Sequence, residues 1–187
     1  IDRFIKEDAN EFLKQSLSVK YVCPDFWTQK CAEWKHKWNS IQEKHLNKED
    51  GISLYYLMDR VSNLSKDNSV FVSDAGSAYY VCSQALQFSE NQKYVTSGAQ
   101  ADMGFTIPAT IGCSFALPDR EIVGFTGDGS FQTNVQELQT IFHHQLPIKL
   151  FVLNNEGYLS IRTTQRKFFN DRFIGTDKND GVSLPEI

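Results

Sequence analysis

Two apolar runs, EIVGFTGD (residues 121–128) and IKLFVLNN (148–155), each close on a polar cluster, with the helical stretch FQTNVQELQTIFHH between them. Strands this apolar are covered on both faces, and neighbours joined through a helix pair in parallel. A right-handed crossover then sets their carboxyl ends side by side. The alternation continues upstream. SVFVSD (69–74) reads as a strand closing on Asp-Ala-Gly-Ser, and a helical stretch follows from about Ala78 to Leu86. KYVTS (93–97) reads as another strand, and IPATIGCSFAL as a helix of small residues. This order predicts an α/β fold of three layers, α/β/α, around a mostly parallel sheet.

The first 47 residues follow a different rule. Trp27, Cys31, Trp34, Trp38, Ile41 and His45 recur at alternating steps of four and three, which predicts one face of a helix. Tryptophans so spaced form a packing face rather than a ligand cage. A connecting helix docked on a core is therefore expected here, the tail of an upstream domain. NKEDGIS (47–53) marks a turn-rich boundary. Beyond it, Ser53 is placed to cap a helix through SLYYLMDRVSNL, with Leu54, Leu57, Met58, Val61 and Leu64 facing inward.

Several function classes are disfavoured. A net charge of −4 argues against nucleic acid as the main partner. No apolar run reaches the roughly 18 residues of a membrane helix, so no membrane partner is expected. The N-terminal IDRFIKEDANEF lacks the basic and apolar regions of a secretory leader. Cys23, Cys31, Cys82 and Cys113 show no C-x-x-C spacing and read as free thiols of a reducing cytoplasm. His36, His45, His143 and His144 do not complete a metal set with them.

In open α/β sheets, ligands bind beyond the carboxyl ends of the strands. Asp128 and Asn155 both stand there. One carboxylate, one carboxamide oxygen and a nearby backbone carbonyl suit a hard divalent cation such as Mg²⁺, which completes its octahedron with water and phosphate oxygens. Gly129 lets the backbone approach a phosphate, and Ser130 opens a helix whose N-terminus favours an anion. The pair reads as a diphosphate–Mg²⁺ site. Gly-Asp-Gly alone is also turn chemistry; its coupling to Asn-Asn, one helix and one strand later, carries the reading. Gln132 breaks G-x-G-x-x-G, and no G-x-x-x-x-G-K-[ST] is present, which disfavours a dinucleotide site and excludes a P-loop.

GDGSFQTNVQELQTI…LPIKLFVLNNEGY resembles the GDG…NN diphosphate-binding signature of thiamine-diphosphate (ThDP) enzymes. TSGAQADMGFTIPATIG and VFVSDAGSAYY resemble the acetolactate synthase branch, the acetohydroxyacid synthase large subunits, and the similarity runs over about residues 50–165. The resemblance implies the ThDP-binding fold. It also implies that Asp128 and Asn155 are side-chain Mg²⁺ ligands, with the Gly157 carbonyl as the third. Gly76, Ser77, Gly129 and Ser130 would contact diphosphate oxygens, and Gly127 and Tyr158 complete the cofactor set. The Ala101 carbonyl would accept from the cofactor's 4′-amino group. Met103 would wedge under the cofactor and hold it bent, its N–H meeting the pyrimidine ring; read from the residues alone, Met103 is core filler.

The implied activity is decarboxylation of a 2-keto acid, the cofactor acting as electron sink for a carbanion that is protonated or added to a second carbonyl. The family's activating glutamate lies in a separate pyrimidine-binding domain, usually of a partner subunit, so no catalytic residue is expected on this chain. Residues 1–47 are then expected to be the end of a middle domain and connecting helix. Residues 48–187 are expected to be the diphosphate-binding domain, shortened at GVSLPEI, inactive alone and working in a homo-oligomer. Some relatives also carry FAD, in the middle domain; the flavin stays open here. Three departures bear on substrate. Ala78 replaces a phosphate-contacting histidine of the acetolactate synthases, Asp102 a small neutral residue beside the cofactor, and Thr164 the tryptophan that helps select the second 2-keto acid. A decarboxylase or carboligase with another acceptor fits better than branched-chain amino acid synthesis. Arg162 is read either as a partner for a substrate carboxylate or as a solvated surface residue. Two further readings stand beside this one: the small subunit of a two-chain ThDP decarboxylase, and a diphosphate-binding module without chemistry.

Overall fold

The tryptophan stripe ends sooner than its spacing predicts. The computed structural model describes residues 4–20, 22–46 and 51–182, in two compact units, Ile1–Asn39 and Ser40–Ile187. The first unit holds two helices, Ala9–Ser16 (α1) and Asp25–Lys37 (α2). Asp8 caps α1 by accepting from the Asn10 N–H at 2.9 Å. Helix α2 stops at Lys37 because Trp38 leaves helical geometry (φ −116°, ψ 45°). Ile41 and His45 therefore fall outside it, and His45 closes a 3₁₀ turn, Glu43–His45. Within the stripe the rings meet one another, Trp27 edge-on to Trp34 at 5.7 Å and Trp34 stacked on Trp38 at 6.0 Å. No residue of α2 is buried. Residues 47–50 of the NKEDGIS boundary and 183–187 of the GVSLPEI end lie outside the described residues.

The second unit is built on Val70–Ser73 (β1), Lys93–Thr96 (β2), Ile122–Gly127 (β3) and Ile148–Leu153 (β4). They form one sheet in the order β2-β1-β3-β4 with every pair parallel, Val70 facing Lys93 and Ile122, and Ile122 facing Ile148. Around the sheet lie Leu54–Leu64 (α3), Gly76–Ala85 (α4), Thr106–Ala116 (α5), Asp128–Thr133 (α6), Leu138–His143 (α7) and Leu159–Phe168 (α8). On one face Met58 and Val61 of α3 and Ala78, Cys82 and Ala85 of α4 pack with Phe71, Val123 and Phe125. Each such large side chain contributes on the order of 2–3 kcal/mol by leaving water. On the other face Ala109 and Cys113 of α5 meet Val70, Val72 and Ile122. The small-residue helix lies close: a Cβ on Gly124 would stand 2.9 Å from both Thr106 Cγ2 and Thr110 Cγ2. The three-layer fold with a parallel sheet is the one the apolar runs predict.

Four local expectations are corrected. Ser53 precedes α3 but its side chain makes no cap hydrogen bond, and Leu64 is 73% exposed at the last turn rather than inward. Helix α4 starts at Gly76, two residues ahead of Ala78, and ends at Ala85. FQTNVQELQTIFHH is not one helix. It begins at Asp128 and breaks at Asn134 (φ −135°, ψ 30°), where a 3₁₀ turn, Val135–Glu137, intervenes. The cause is tertiary, since Asn134 Nδ2 donates to the Gly104 carbonyl at 2.9 Å. Among the described residues no helix is long and apolar enough to cross a membrane.

Candidate functional site

The strand order reverses between β1 and β3, so a crevice opens at their carboxyl ends. Asp74 follows β1, Asp128 follows β3 and Asn155 follows β4. A pocket of about 340 Å³ is lined by all the expected positions: Gly76, Ser77, Ala101, Met103, Gly127, Asp128, Gly129, Ser130, Asn155, Gly157 and Tyr158. Ala75, Tyr80, Gln100, Leu159, Ser160 and Ile161 also line it. The sequence reading missed these six.

Asp128 is fully buried. Its Oδ2 accepts from the Gly157 N–H at 2.7 Å and its Oδ1 from the Gly129 N–H at 3.0 Å. Among the described residues no Lys, Arg or His forms an ion pair with it. The end of the Asn155 amide lies 2.6 Å from the Gly157 carbonyl oxygen and 3.2 Å from Asp128 Oδ1. With its nitrogen turned inward, Asn155 donates to both. With its oxygen inward, three oxygens converge with no proton between them, an arrangement that a cation stabilises. Octahedral ligands about 2.1 Å from Mg²⁺ stand about 3 Å apart, close to the two separations that the Asn155 amide makes. One carboxylate, one carboxamide and one carbonyl make a hard-oxygen set. No group of three or more His, Cys, Asp and Glu side chains that could hold a metal ion gathers among the described residues.

The same pocket suits an anion. Helices α4 and α8 both begin at its rim, at Gly76 and Leu159, and the first turn of a helix has N–H groups without intrahelical partners, which favours an anion. Gly76 adopts φ +57°, and a Cβ on Gly129 would stand 2.3 Å from Tyr158 Cε1. Glycine permits the left-handed backbone at the first turn, and at the second it leaves room for the Tyr158 ring. Asp74 anchors the first turn: its Oδ1 accepts from the Ala75 N–H and its Oδ2 from the Thr126 hydroxyl, each at 2.6 Å. Burial pushes the Asp74 carboxyl above its usual range, opposed by the Thr126 hydroxyl and the Ala75 N–H.

The loop after β2 is locked in an uncommon shape. Ala101 takes φ 51°, in the left-handed region. The Asp102 N–H donates to Ser97 Oγ at 2.7 Å, and a Cβ on Gly104 would meet Thr133 Oγ1 at 1.9 Å. Met103 is 40% exposed and lines the pocket, so it does not fill the core. The three departures lie elsewhere. Ala78 is buried under the sheet, Asp102 is exposed, and Thr164 is exposed with its hydroxyl donating to the Ser160 carbonyl at 3.2 Å. Arg162 matches neither earlier reading, because it donates to the carbonyls of Asn155 (2.6 Å), Glu156 and Thr176 (3.1 Å).

Known proteins share this chain's pattern. It is 35% identical over 184 residues to acetolactate synthase isozyme 1 large subunit of Escherichia coli K12, covering 98% of this chain and 32% of that one. To the isozyme 2 large subunit of the same organism it is 31% identical over 156 residues, 82% of this chain and 28% of that one. The chain thus spans about a third of the length of these relatives. Among solved structures, a Rhodococcus jostii RHA1 thiamine diphosphate-dependent 4-hydroxybenzoylformate decarboxylase shares the fold, with a TM-score of 0.65 at 24% identity over 75% of this chain and 26% of that one. Residues 74–187 match the family described as thiamine pyrophosphate enzyme, C-terminal TPP binding domain, and the chain belongs to that family.

Proposed function

We propose that this chain supplies the Mg²⁺–diphosphate half of a ThDP enzyme that decarboxylates 2-keto acids and can ligate the product to a second carbonyl. One observation carries the reading: the buried Asp128 carboxylate, the Asn155 amide and the Gly157 carbonyl converge at the mouth of two helix N-termini. Asp128, Asn155 and Gly157 hold the cation, and Gly76, Ser77, Gly129 and Ser130 face the diphosphate, with Gly127 and Tyr158 beside them. The Ala101 carbonyl and the Met103 side chain serve the pyrimidine end. When bound, ThDP supplies carbanion stabilisation. The protein's share would be to fix the diphosphate, keep water from Asp128 and support the ring through Met103.

The activating carboxylate belongs to a pyrimidine-binding domain outside this chain, supplied by the parent polypeptide or a partner subunit in a homo-oligomer. Residues 1–47 end a middle domain and 48–187 form the diphosphate-binding domain. The names of the relatives, acetolactate synthases and a thiamine diphosphate-dependent 4-hydroxybenzoylformate decarboxylase, support this class of reaction. The test is CO₂ release from 2-keto acids by the full-length polypeptide that contains this chain. Release that needs both ThDP and Mg²⁺, and that Asp128→Ala abolishes, is expected. Undiminished release by that variant would refute the assignment.

A further inference from the structure

Two consecutive residues of the loop after β4 sit in the left-handed region, Glu156 at φ 61° and Gly157 at φ 107°. Non-glycine residues there are strained, and such strain persists only where surrounding contacts impose it. The loop also carries Asn155 and Gly157 toward Asp128, so its shape sets where two of the three proposed ligand oxygens stand. We infer that Arg162 is the positioning residue of the cation site, a guanidinium clamp on the loop that carries Asn155 and Gly157; this rests on the Mg²⁺ reading above.

Arg162 lies one turn into α8, and its N–H donates to the Tyr158 carbonyl at 2.9 Å. From there its side chain reaches back. Nη2 donates to the Asn155 carbonyl at 2.6 Å, and Nη1 to the carbonyls of Glu156 and Thr176, the latter at 3.1 Å. Three consecutive carbonyls are thus divided by role. Those of 155 and 156 turn to the guanidinium, while that of 157 accepts from the Leu159 N–H at 3.0 Å and stands 2.6 Å from the Asn155 amide. The Thr176 contact ties in the segment behind. Tyr158 N–H donates to the Thr176 carbonyl at 2.9 Å, Gly157 bridges Asp177, and Thr176 itself is buried. One planar fork joins both sides of the strained turn, a geometry that the single ammonium of lysine does not reproduce.

Charge and geometry predict opposite signs here. A guanidinium near a cation repels it, so by Coulomb's law alone its removal would tighten Mg²⁺ binding. A clamp that fixes ligand oxygens predicts weakening, and loss of such outer-sphere partners costs about 10–100-fold in metal affinity. The test is calorimetric titration of Mg²⁺, at saturating ThDP, into the full-length polypeptide and its Arg162→Ala and Arg162→Lys variants. The dissociation constant is expected to rise about 10–100-fold in Arg162→Ala and by a smaller factor in Arg162→Lys. Ethylguanidinium at millimolar concentration should restore part of the Arg162→Ala loss, which a general destabilisation would not allow. Wild-type or tighter affinity in either variant overturns the clamp and leaves the site reading intact. Absence of Mg²⁺-dependent binding in the wild-type polypeptide overturns both.

Discussion

Gly129→Ala tests how closely the turn after β3 is packed. Gly129 is the second residue of α6, in ordinary helical backbone, so alanine meets no conformational barrier there. In an open helix the exchange would stabilise by up to about 1 kcal/mol. The obstacle is the Tyr158 ring, whose Cε1 and Cδ1 would stand 2.3 and 2.6 Å from the new methyl. Ordinary carbon contacts are about 3.5–4.0 Å, so the ring must move by more than an ångström. Such overpacking costs about 1–3 kcal/mol. The single variant should therefore lose about 1–2 kcal/mol in urea denaturation, while in a Tyr158→Ala background the same change should be neutral or stabilising. The coupling energy between the two positions is then about 2 kcal/mol, within the range of touching residues. Additive effects would refute the reasoning, because they would mean that Tyr158 does not cover Gly129.

Two other outcomes follow from the geometry. At the opposite end of the sheet, burial raises the Glu121 carboxyl, but bonds from Lys149, Ser69 Oγ and the Lys66 N–H outweigh it and draw it down to about 2. A depressed carboxylate stabilises above its unfolded value of 4.5 and loses that contribution as pH falls toward 2. Glu121→Gln should thus be less stable by about 1–2 kcal/mol at pH 7, and the wild-type advantage should vanish between pH 4.5 and 2 in acid-unfolding curves. Gly157→Ala places a Cβ 2.6 Å from the Thr176 carbonyl at φ +107°, where neither backbone can yield. A loss of about 2 kcal/mol or more is expected by chemical denaturation, with the Mg²⁺ requirement for ThDP binding disturbed in the same variant.

The sheet was legible because its two central strands are buried on both faces, so Val70–Ser73 and Ile122–Gly127 leave nearly unbroken apolar runs in the sequence. Asp128 and Asn155 were legible for a related reason: polar residues at the ends of such runs mark the sheet's ligand edge. Other features left weaker marks. Helix α8 was not foreseen, since Leu159, Ile161 and Phe168 stay exposed and bury no face. The break at Asn134 depends on the Gly104 carbonyl, 30 residues away, and any residue type supplies a carbonyl. Arg162 was misread for the same reason. Its acceptors are main-chain oxygens, invisible in a string of side chains. Asp74 offered a signal that went unused, a carboxylate closing the apolar run of β1 just as Asp128 closes β3.

On the proposed function, Asp128, Asn155 and Gly157 hold a cation that in turn holds a diphosphate. Thermal unfolding of the full-length polypeptide, with Mg²⁺ alone, ThDP alone and both together, beside Asp128→Ala, tests it most directly. At about 100 times the dissociation constant a native-state ligand adds about 2.7 kcal/mol, a rise of several degrees. That rise is expected only with both ligands present and not in the variant. An equal rise in Asp128→Ala, or none in the wild type with both ligands, would contradict it.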